Sequence, residues 1–418
     1  MLLNKIKHHL NKDSGLLKHA SILFSATMIA SIMNYLFQLF MGRALGPEQY
    51  GVLGALMSLM YIMSVPGGTI QVYVTKYVSK FSVKNQKIIG WIIRKNFKIV
   101  FVSGLIFLIS FIFFSSSIAS FLKIQNAEPV IALGFVLFLS LLNPVFLSAL
   151  RGLQNFKGMG ASNIINMTTK LIIGVLLVYL GFGVLGAVSG IGIGLIFGLI
   201  FSLILLRKNI FNCQKPKKEY KNGSYFWYVL STMFLLVLFY NVDIIMVKIF
   251  FSSAQAGYYV AASTIAKIIF FISGPITSTM FPKASEIKEK GKGTFKILKH
   301  TLFYVAVLGV LLVIIYNIAP GFVVSTLYGS QYNSTIQLIG LFSIGMLFFS
   351  LINTVIQHNM AVENLSYLPL LLLGAIVEVL GILFFHSTLL DVVKVFTISM
   401  TFIFFLLLII DKKEFIGS

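Results

Sequence analysis

The chain is built from apolar runs, most about twenty residues long, set between short segments rich in lysine and arginine. A helix of about twenty apolar residues spans the hydrocarbon core of a bilayer. The pattern predicts spanning helices near 19–40, 51–72, 99–121, 129–150, 161–180, 183–206, 226–247, 255–280, 300–318, 335–357, 366–385 and 390–410. The expected fold class is all-α: a polytopic membrane protein of about 12 transmembrane helices.

The fifth run tests this pattern. Its clean apolar stretch, Leu171 to Leu180, covers only ten residues, and a span needs roughly twice that. The helix must reach back through Asn163, Asn166, Thr168, Thr169 and Lys170. It is then expected to be apolar outside and polar inside, since lipid alone does not tolerate that polar face.

Lysine and arginine sort by side. Of the 33, 28 fall in the N-terminus, in 73–98, 151–170, 207–225 and 281–299, and in the tail. Arg43, Lys123, Lys248 and Lys394 occupy the alternate segments, and Lys267 lies inside a run. Cytoplasmic segments carry such an excess, so both termini are expected in the cytoplasm and the chain in the cell (cytoplasmic) membrane. The bounds that follow are a cytoplasmic N-terminal segment (1–18), an N-lobe (19–206), a basic cytoplasmic linker (207–225), a C-lobe (226–410) and a cytoplasmic tail (411–418). In the first segment, Leu2, Leu3, Ile6 and Leu10 either form one face of an interfacial helix or the stretch is disordered. No cleavable signal is expected, because the first apolar run is of full length.

Composition agrees. The chain is 58% hydrophobic and 11% charged, with mean hydropathy +0.94, whereas soluble domains are about 25% charged. A net charge of +21 would suggest nucleic acid in a soluble protein. Here the basic residues follow the membrane pattern, so the expected partner is the lipid bilayer and no nucleic acid. A single cysteine, Cys213, excludes an intrachain disulfide. Gly291-Lys292-Gly293-Thr294 lacks the spacing of a phosphate loop and reads as a basic turn. The histidines at 8, 9, 19, 300, 358 and 386 show no ligand spacing, so no metal and no cofactor is expected.

Sliding the chain on itself by 206 residues superposes Gln49, Gly51, Ala55, Gly68 and Ile70 on Gln255, Gly257, Ala261, Gly274 and Ile276. The offset spans six expected helices. Six is even, so the halves are parallel repeats, and such repeats bind substrate at their interface near mid-membrane.

Four stretches carry a family resemblance. Met41-Gly42-Arg43-Ala44-Leu45-Gly46-Pro47-Glu48-Gln49-Tyr50-Gly51 resembles the first outer loop of polysaccharide (oligosaccharide-lipid) flippases. Leu150-Arg151-Gly152-Leu153-Gln154-Asn155-Phe156 is similar to that family's loop after helix four. Gly181-Phe182-Gly183-Val184-Leu185-Gly186-Ala187 is similar to its turn between helices five and six. Asp243 with Gly257-Tyr258-Tyr259 and Ala262 resembles helices seven and eight. The match covers roughly 20–282 and departs near 386, where His386-Ser387-Thr388 replaces a glycine-rich turn. The resemblance implies the two-lobe fold of the multidrug/oligosaccharidyl-lipid/polysaccharide exporter superfamily. It also implies movement of a lipid-linked oligosaccharide between leaflets by alternating access.

Polar residues at membrane depth cost about 2.5–3.5 kcal/mol each when ionised and so need a role. Lys267 and Glu378 lie near mid-depth, where they are expected either to pair or to form a cation or proton site. Asp243, with Asn241, is a structural acid or a ligand for a coupling ion, H+ or Na+. Lys170 is the leading candidate for a substrate phosphate, since a cation offsets the cost of carrying that charge across a poor dielectric; the alternative is snorkelling. Arg151 sits at the mouth of helix four. Arg43 is a cavity residue, an outer gate or an interface anchor. Asn34 and Gln38, with Asn143, Asn166, Asn353 and Gln357, suit sugar hydroxyls or interhelical hydrogen bonds. Tyr35, Tyr61, Tyr240, Tyr258 and Tyr259 suit sugar stacking or an aromatic belt. The glycines of helix six suit close packing.

The reading is thus a transporter and not an enzyme, acting as a monomer on a lipid-linked oligosaccharide. The alternatives are a cation-coupled multidrug antiporter of the same fold, and a membrane polysaccharide polymerase or ligase. The first usually carries an acid in helix one, and 20–40 has none. The second works through a large basic outer loop, and 319–334 has no Lys or Arg.

Overall fold

A computed structural model describes residues 2–82, 87–211, 224–291 and 293–416. Cys213 and most of the 207–225 linker fall outside these residues, as does Lys292 of the basic turn. Among the described residues almost everything is helical and there is no strand. Among the described residues eight helices are long and apolar enough to cross a membrane, or nine if one bent pair counts as a span.

Two of the eight, Phe24–Phe81 and Phe156–Ile210, run 58 and 55 residues, far more than the roughly 20 a bilayer requires. Each is interrupted by a glycine in the left-handed region, Gly46 at φ 70 and Gly181 at φ 92. Glycine reaches these angles without the Cβ penalty other residues meet. The breaks fall where the sequence pattern separates helices one from two and five from six.

The chain divides into two compact units. The first comprises residues 1–41, 63–120 and 124–226; the second comprises 42–62, 121–123 and 227–418.

In the first unit, helix α1 (Leu2–Met63) contributes its first part, followed by α2 (Val65–Ser82), α3 (Lys87–Phe113), α4 (Ser115–Phe121), α5 (Glu128–Gly152), α6 (Phe156–Leu177) and α7 (Gly183–Phe211). Helices α2, α3 and α5 enclose a core around Val74, Val78, Ile92, Ile93, Val145 and Phe146. The α5–α6 turn is fixed by Gln154 at φ 57 and by Asn155, whose side chain accepts from the Gly158 amide at 3.0 Å. Capping of this kind satisfies an amide that the helix start leaves without a partner. The Leu150–Phe156 motif is thus explained locally as a helix-to-helix turn. Helices α6 and α7 touch along glycines: a Cβ at Gly190 would strike the backbone of Gly174, and one at Gly194 the carbonyl of Asn166. From Ile99 onward most residues left exposed on α3, such as Ile99, Val102, Leu105, Ile106 and Ile109, are apolar, which suits lipid.

The second unit takes the remainder of α1, then α8 (Ser224–Phe239), α9 (Val242–Phe250), α10 (Ser253–Glu289), α11 (Phe295–Ile318), α12 (Pro320–Tyr328), a 3-10 turn (Ser330–Thr335), α13 (Ile336–Ala361), α14 (Leu368–Phe384) and α15 (Leu389–Ile416). The pattern anticipates one continuous helix over 226–247. Instead α8 and α9 meet at a bend of 43°. The Asn241 side chain donates to the Val237 carbonyl at 2.8 Å, and such a side chain inserted into the helical ladder is a standard cause of a kink. Helix α10 opens with a capping box in which Ser252 and Gln255 satisfy each other. The turn before α15 closes through Thr388 and Asp391, with Thr388 Oγ1 donating to Asp391 Oδ2 at 2.8 Å. That hydroxyl–carboxylate cap stands where the resemblance anticipates glycine.

Candidate functional site

Helix α6 is as the fifth run requires. Ile172 and Leu176 are exposed, while Asn166 and Lys170 point inward. Lys170 is 3% exposed. Its ammonium donates to Asn34 Oδ1 at 2.7 Å and lies 4.2 Å from the centre of the Phe37 ring. Gly174, one turn further, lets Phe37 approach: a Cβ there would strike the ring. Gly194 of α7 closes over the Lys170 stem in the same way. Among the described residues no acid acts on Lys170. The first unit therefore holds at depth a cation balanced only by an amide dipole and a ring face. Both interactions favour a positive charge, yet neither neutralises it.

Two sequence candidates, Lys170 and Asn34, are thus brought together. Gln38 lies one turn beyond Asn34 and is partly buried, whereas Arg151 is exposed at the end of α5.

The second unit gathers acids instead. Asp243 lies in the first turn of α9, where the helix dipole favours a negative charge. It is 1% exposed, and its Oδ2 accepts from the Tyr259 hydroxyl at 2.8 Å. Its Oδ1 has no side-chain partner among the described residues. Glu378 of α14 is fully buried, and neither of its carboxylate oxygens has a hydrogen-bond partner among the described residues. It is near enough to Asp243 for the two charges to repel. Lys267 of α10 is the opposite charge acting on Asp243, and its ammonium lies 5.1 Å from the centre of the Tyr240 ring. Of the two readings for Lys267 and Glu378, the ion pair is not present among the described residues, since neither Glu378 oxygen has a hydrogen-bond partner there. Position along a helix gives height but not direction, and Asp243 is directed to Tyr259 of α10. Ser263 and Asn241 add two further buried oxygens without hydrogen-bond partners among the described residues. The arrangement suits a bound proton or small cation, since unpartnered buried carboxylate oxygens are costly.

Arg43 is exposed. It lines a surface cleft of about 430 Å³ with Tyr328, Gly329, Ser330 and Gln331. Its Nε donates to the Leu327 carbonyl at 2.8 Å, and its Nη2 to the Thr326 carbonyl. In return Gln331 donates to the Arg43 carbonyl at 3.1 Å, and Tyr332 to the Gly42 carbonyl at 2.7 Å. Arg43 thus holds the 326–332 segment against the start of the second unit. Pattern reading did not anticipate this, because α12 and the 3-10 turn are short and their role depends on backbone carbonyls. Tyr259 as partner of Asp243 was also missed; its signal is the acid sixteen residues earlier on a neighbouring helix.

The family described as polysaccharide biosynthesis protein matches residues 40–337. No curated protein sequence matches the chain. Several solved structures share its fold. An inward-facing multidrug resistance MATE family transporter of the MOP superfamily aligns with TM-score 0.73 at 11% identity, covering 93% of this chain and 97% of that one. The lipid II flippase MurJ, in an inward closed conformation, aligns with TM-score 0.71 at 16% identity, covering 93% and 87%. A MOP superfamily transporter from Pyrococcus furiosus, described as having a binding pocket of reverse polarity that suggests a different function, aligns with TM-score 0.62 at 14% identity, covering 94% and 95%.

Proposed function

The chain belongs to the polysaccharide biosynthesis protein family, and from that premise we propose that it flips a lipid-linked oligosaccharide from the cytoplasmic to the outer leaflet. It has the MOP-superfamily transporter fold and the apolar helices of a multi-pass membrane protein. On this reading it is a carrier and not an enzyme. It sits in the cytoplasmic membrane with both termini inside, acts as a monomer and uses two six-helix lobes (19–206 and 226–410) that open alternately.

The observation that carries the reading is the unneutralised Lys170. An exporter of organic cations needs anionic groups along its path, and 20–40 offers none. A polyprenyl phosphate or diphosphate brings the negative charge that Lys170 lacks. In the proposed cycle the phosphate displaces Asn34 from the ammonium, exchanging a charge–dipole bond for a stronger charge–charge one. Asn34 and Gln38 then hydrogen-bond the headgroup, and Arg151 attracts it at the cytoplasmic mouth. Arg43 acts as an outer latch.

The acids of the second unit supply the driving step. Protonation or cation binding at Asp243 and Glu378, beside Lys267, neutralises buried charge and so biases the lobe between two packings. The alternative, a cation-coupled multidrug antiporter, is favoured by the same acid cluster and by the MATE likeness. The discriminating experiment offers proteoliposomes both a lipid-linked oligosaccharide and an organic cation under a proton or sodium gradient. Movement of the lipid alone supports the flippase; movement of the cation alone supports the antiporter.

A further inference from the structure

One end of the first unit carries a group of cations. Helices α3 and α7 pack against each other and on the same hydrophobic cluster. Helix α3 supplies Ile89, Ile92 and Ile93 from its beginning, and α7 supplies Leu206 from its end, with Ile210 beside it. The start of α3 and the end of α7 therefore share one end of the unit. There α3 carries Arg94 and Lys98, one turn apart, and α7 carries Arg207 and Lys208; all four are exposed. No acid stands among them. Between residues 63 and 211 the only Asp or Glu is Glu128, in the first turn of α5. The shared core takes Leu150 from the other end of α5, so helical rise puts Glu128 about 30 Å away.

Each pair of cations ends an apolar stripe. On α3 the exposed positions beyond Lys98 include Val102, Ile106 and Ile109. The exposed polar side chains there, Ser103 and Ser110, turn their hydroxyls to the Val100 and Ile106 carbonyls of their own helix. On α7 the exposed positions from 196 to 205 are Ile196, Phe197, Ile200, Ile204 and Leu205. Lys98 and Val102 are four residues apart, as are Ile204 and Lys208, so each cation shares a helix face with an apolar neighbour. The apolar runs begin at 99 and end at 206, which puts all four cations within about 8 Å of the hydrocarbon boundary along their helices. Arg and Lys at such a boundary lay their apolar stems along the helix and send their charges into the headgroup layer.

We propose that Arg94 and Lys98 of α3, with Arg207 and Lys208 of α7, hold the headgroup of an anionic phospholipid whose acyl chains lie along the apolar stripes of the same two helices. Phosphate oxygens accept charge-assisted hydrogen bonds, and the guanidinium of Arg presents a planar fork of donors that matches them. A zwitterionic headgroup brings an ammonium of its own, which finds no acid at this end of the unit. The occupant is a lipid of the bilayer and not a soluble anion, because cation and apolar stripe are continuous on each helix. The inference stands apart from the flippase reading: it concerns the surrounding bilayer and holds equally for an antiporter.

The test is native mass spectrometry of the full chain in detergent, offered equal amounts of phosphatidylglycerol and phosphatidylcholine of distinguishable mass. The wild-type chain is expected to retain phosphatidylglycerol about tenfold in preference, since each basic residue near a bilayer surface strengthens anionic-lipid binding severalfold. The double variants Arg94→Gln/Lys98→Gln and Arg207→Gln/Lys208→Gln are each expected to lose most of that preference. Lys283→Gln/Lys288→Gln removes two exposed cations near the end of α10 in the second unit. It is the reference for bulk charge and is expected to keep the wild-type preference. Unfolding midpoints show whether each variant is folded, and the single replacements Lys98→Gln and Lys208→Gln decide the question if a double variant is not. Equal retention of both lipids by the wild-type chain overturns the site. A folded α3 or α7 variant with the full preference overturns it too. So does a fall in the reference variant as large as in the other two, since the cations would then act only as bulk charge.

Discussion

Gly51 and Gly257, one repeat apart in the sequence, lie at the same crossing. A Cβ on Gly51 would strike the carbonyl of Ser253, and one on Gly257 would strike the carbonyl of Pro47. Each glycine admits the backbone of the other's helix. The Tyr50 hydroxyl reinforces the crossing, lying 3.3 Å from Thr264 Oγ1 and 3.0 Å from the Tyr328 hydroxyl.

A methyl group at Gly257 should therefore pry the crossing apart. Gly257→Ala is expected to cost about 1–3 kcal/mol, as overpacking does, and Gly274→Ala, which meets nothing within 4 Å, much less. Thermal unfolding of the two purified variants measures the difference.

Asn34 is the only hydrogen-bond partner recorded for the Lys170 ammonium among the described residues. Asn34→Leu should destabilise the protein by about 1.5–3 kcal/mol, the range for a hydrogen bond to a charged group. Asn34→Asp should do the reverse: it neutralises Lys170 permanently, stabilises the fold and slows transport by competing with the phosphate. Unfolding midpoints and transport rates together check both signs. A faster Asn34→Asp carrier would count against Lys170 as the phosphate contact.

If the acids of the second unit couple transport to an ion, charge-neutral replacements must change its ion dependence. Asp243→Asn keeps a group able to hydrogen-bond Tyr259, and Glu378→Gln fixes that side chain in a neutral form. Each is expected to flatten the dependence of transport on pH or on sodium while the protein stays folded. Unaltered profiles in both variants would show that the acids are structural.

Arg43→Ala removes both guanidinium bonds to the 326–327 carbonyls. Amide hydrogen exchange over 324–332 should accelerate, with α13 unchanged. Equal protection in wild type and variant would mean that Tyr332 and Gln331 hold the segment by themselves.

Much of this was legible in the residues because membrane burial leaves few meanings for a polar side chain. The polar inner face of α6, the glycine seam between α6 and α7 and the turn at Gly181 follow from length, depth and spacing. Asp243 and Lys170 stood out for the same reason. The partners did not follow. Lys267 and Glu378 share an expected height, yet the Lys267 ammonium lies over the Tyr240 ring, because azimuth depends on how the helices pack. Asn34 carries no charge, and nothing in its neighbourhood marks it as the companion of a lysine more than a hundred residues away. The Arg43 contacts are to backbone carbonyls, which every residue offers.

The most direct test of the central claim is leaflet exchange in proteoliposomes. The purified chain is reconstituted with a fluorescent polyprenyl-diphosphate oligosaccharide, and a membrane-impermeant quencher reports the fraction in the outer leaflet over time. The account predicts that the protein accelerates exchange over empty liposomes and that Lys170→Ala slows it. Exchange no faster than in empty liposomes, with the same vesicles moving an organic cation against a proton or sodium gradient, would contradict it.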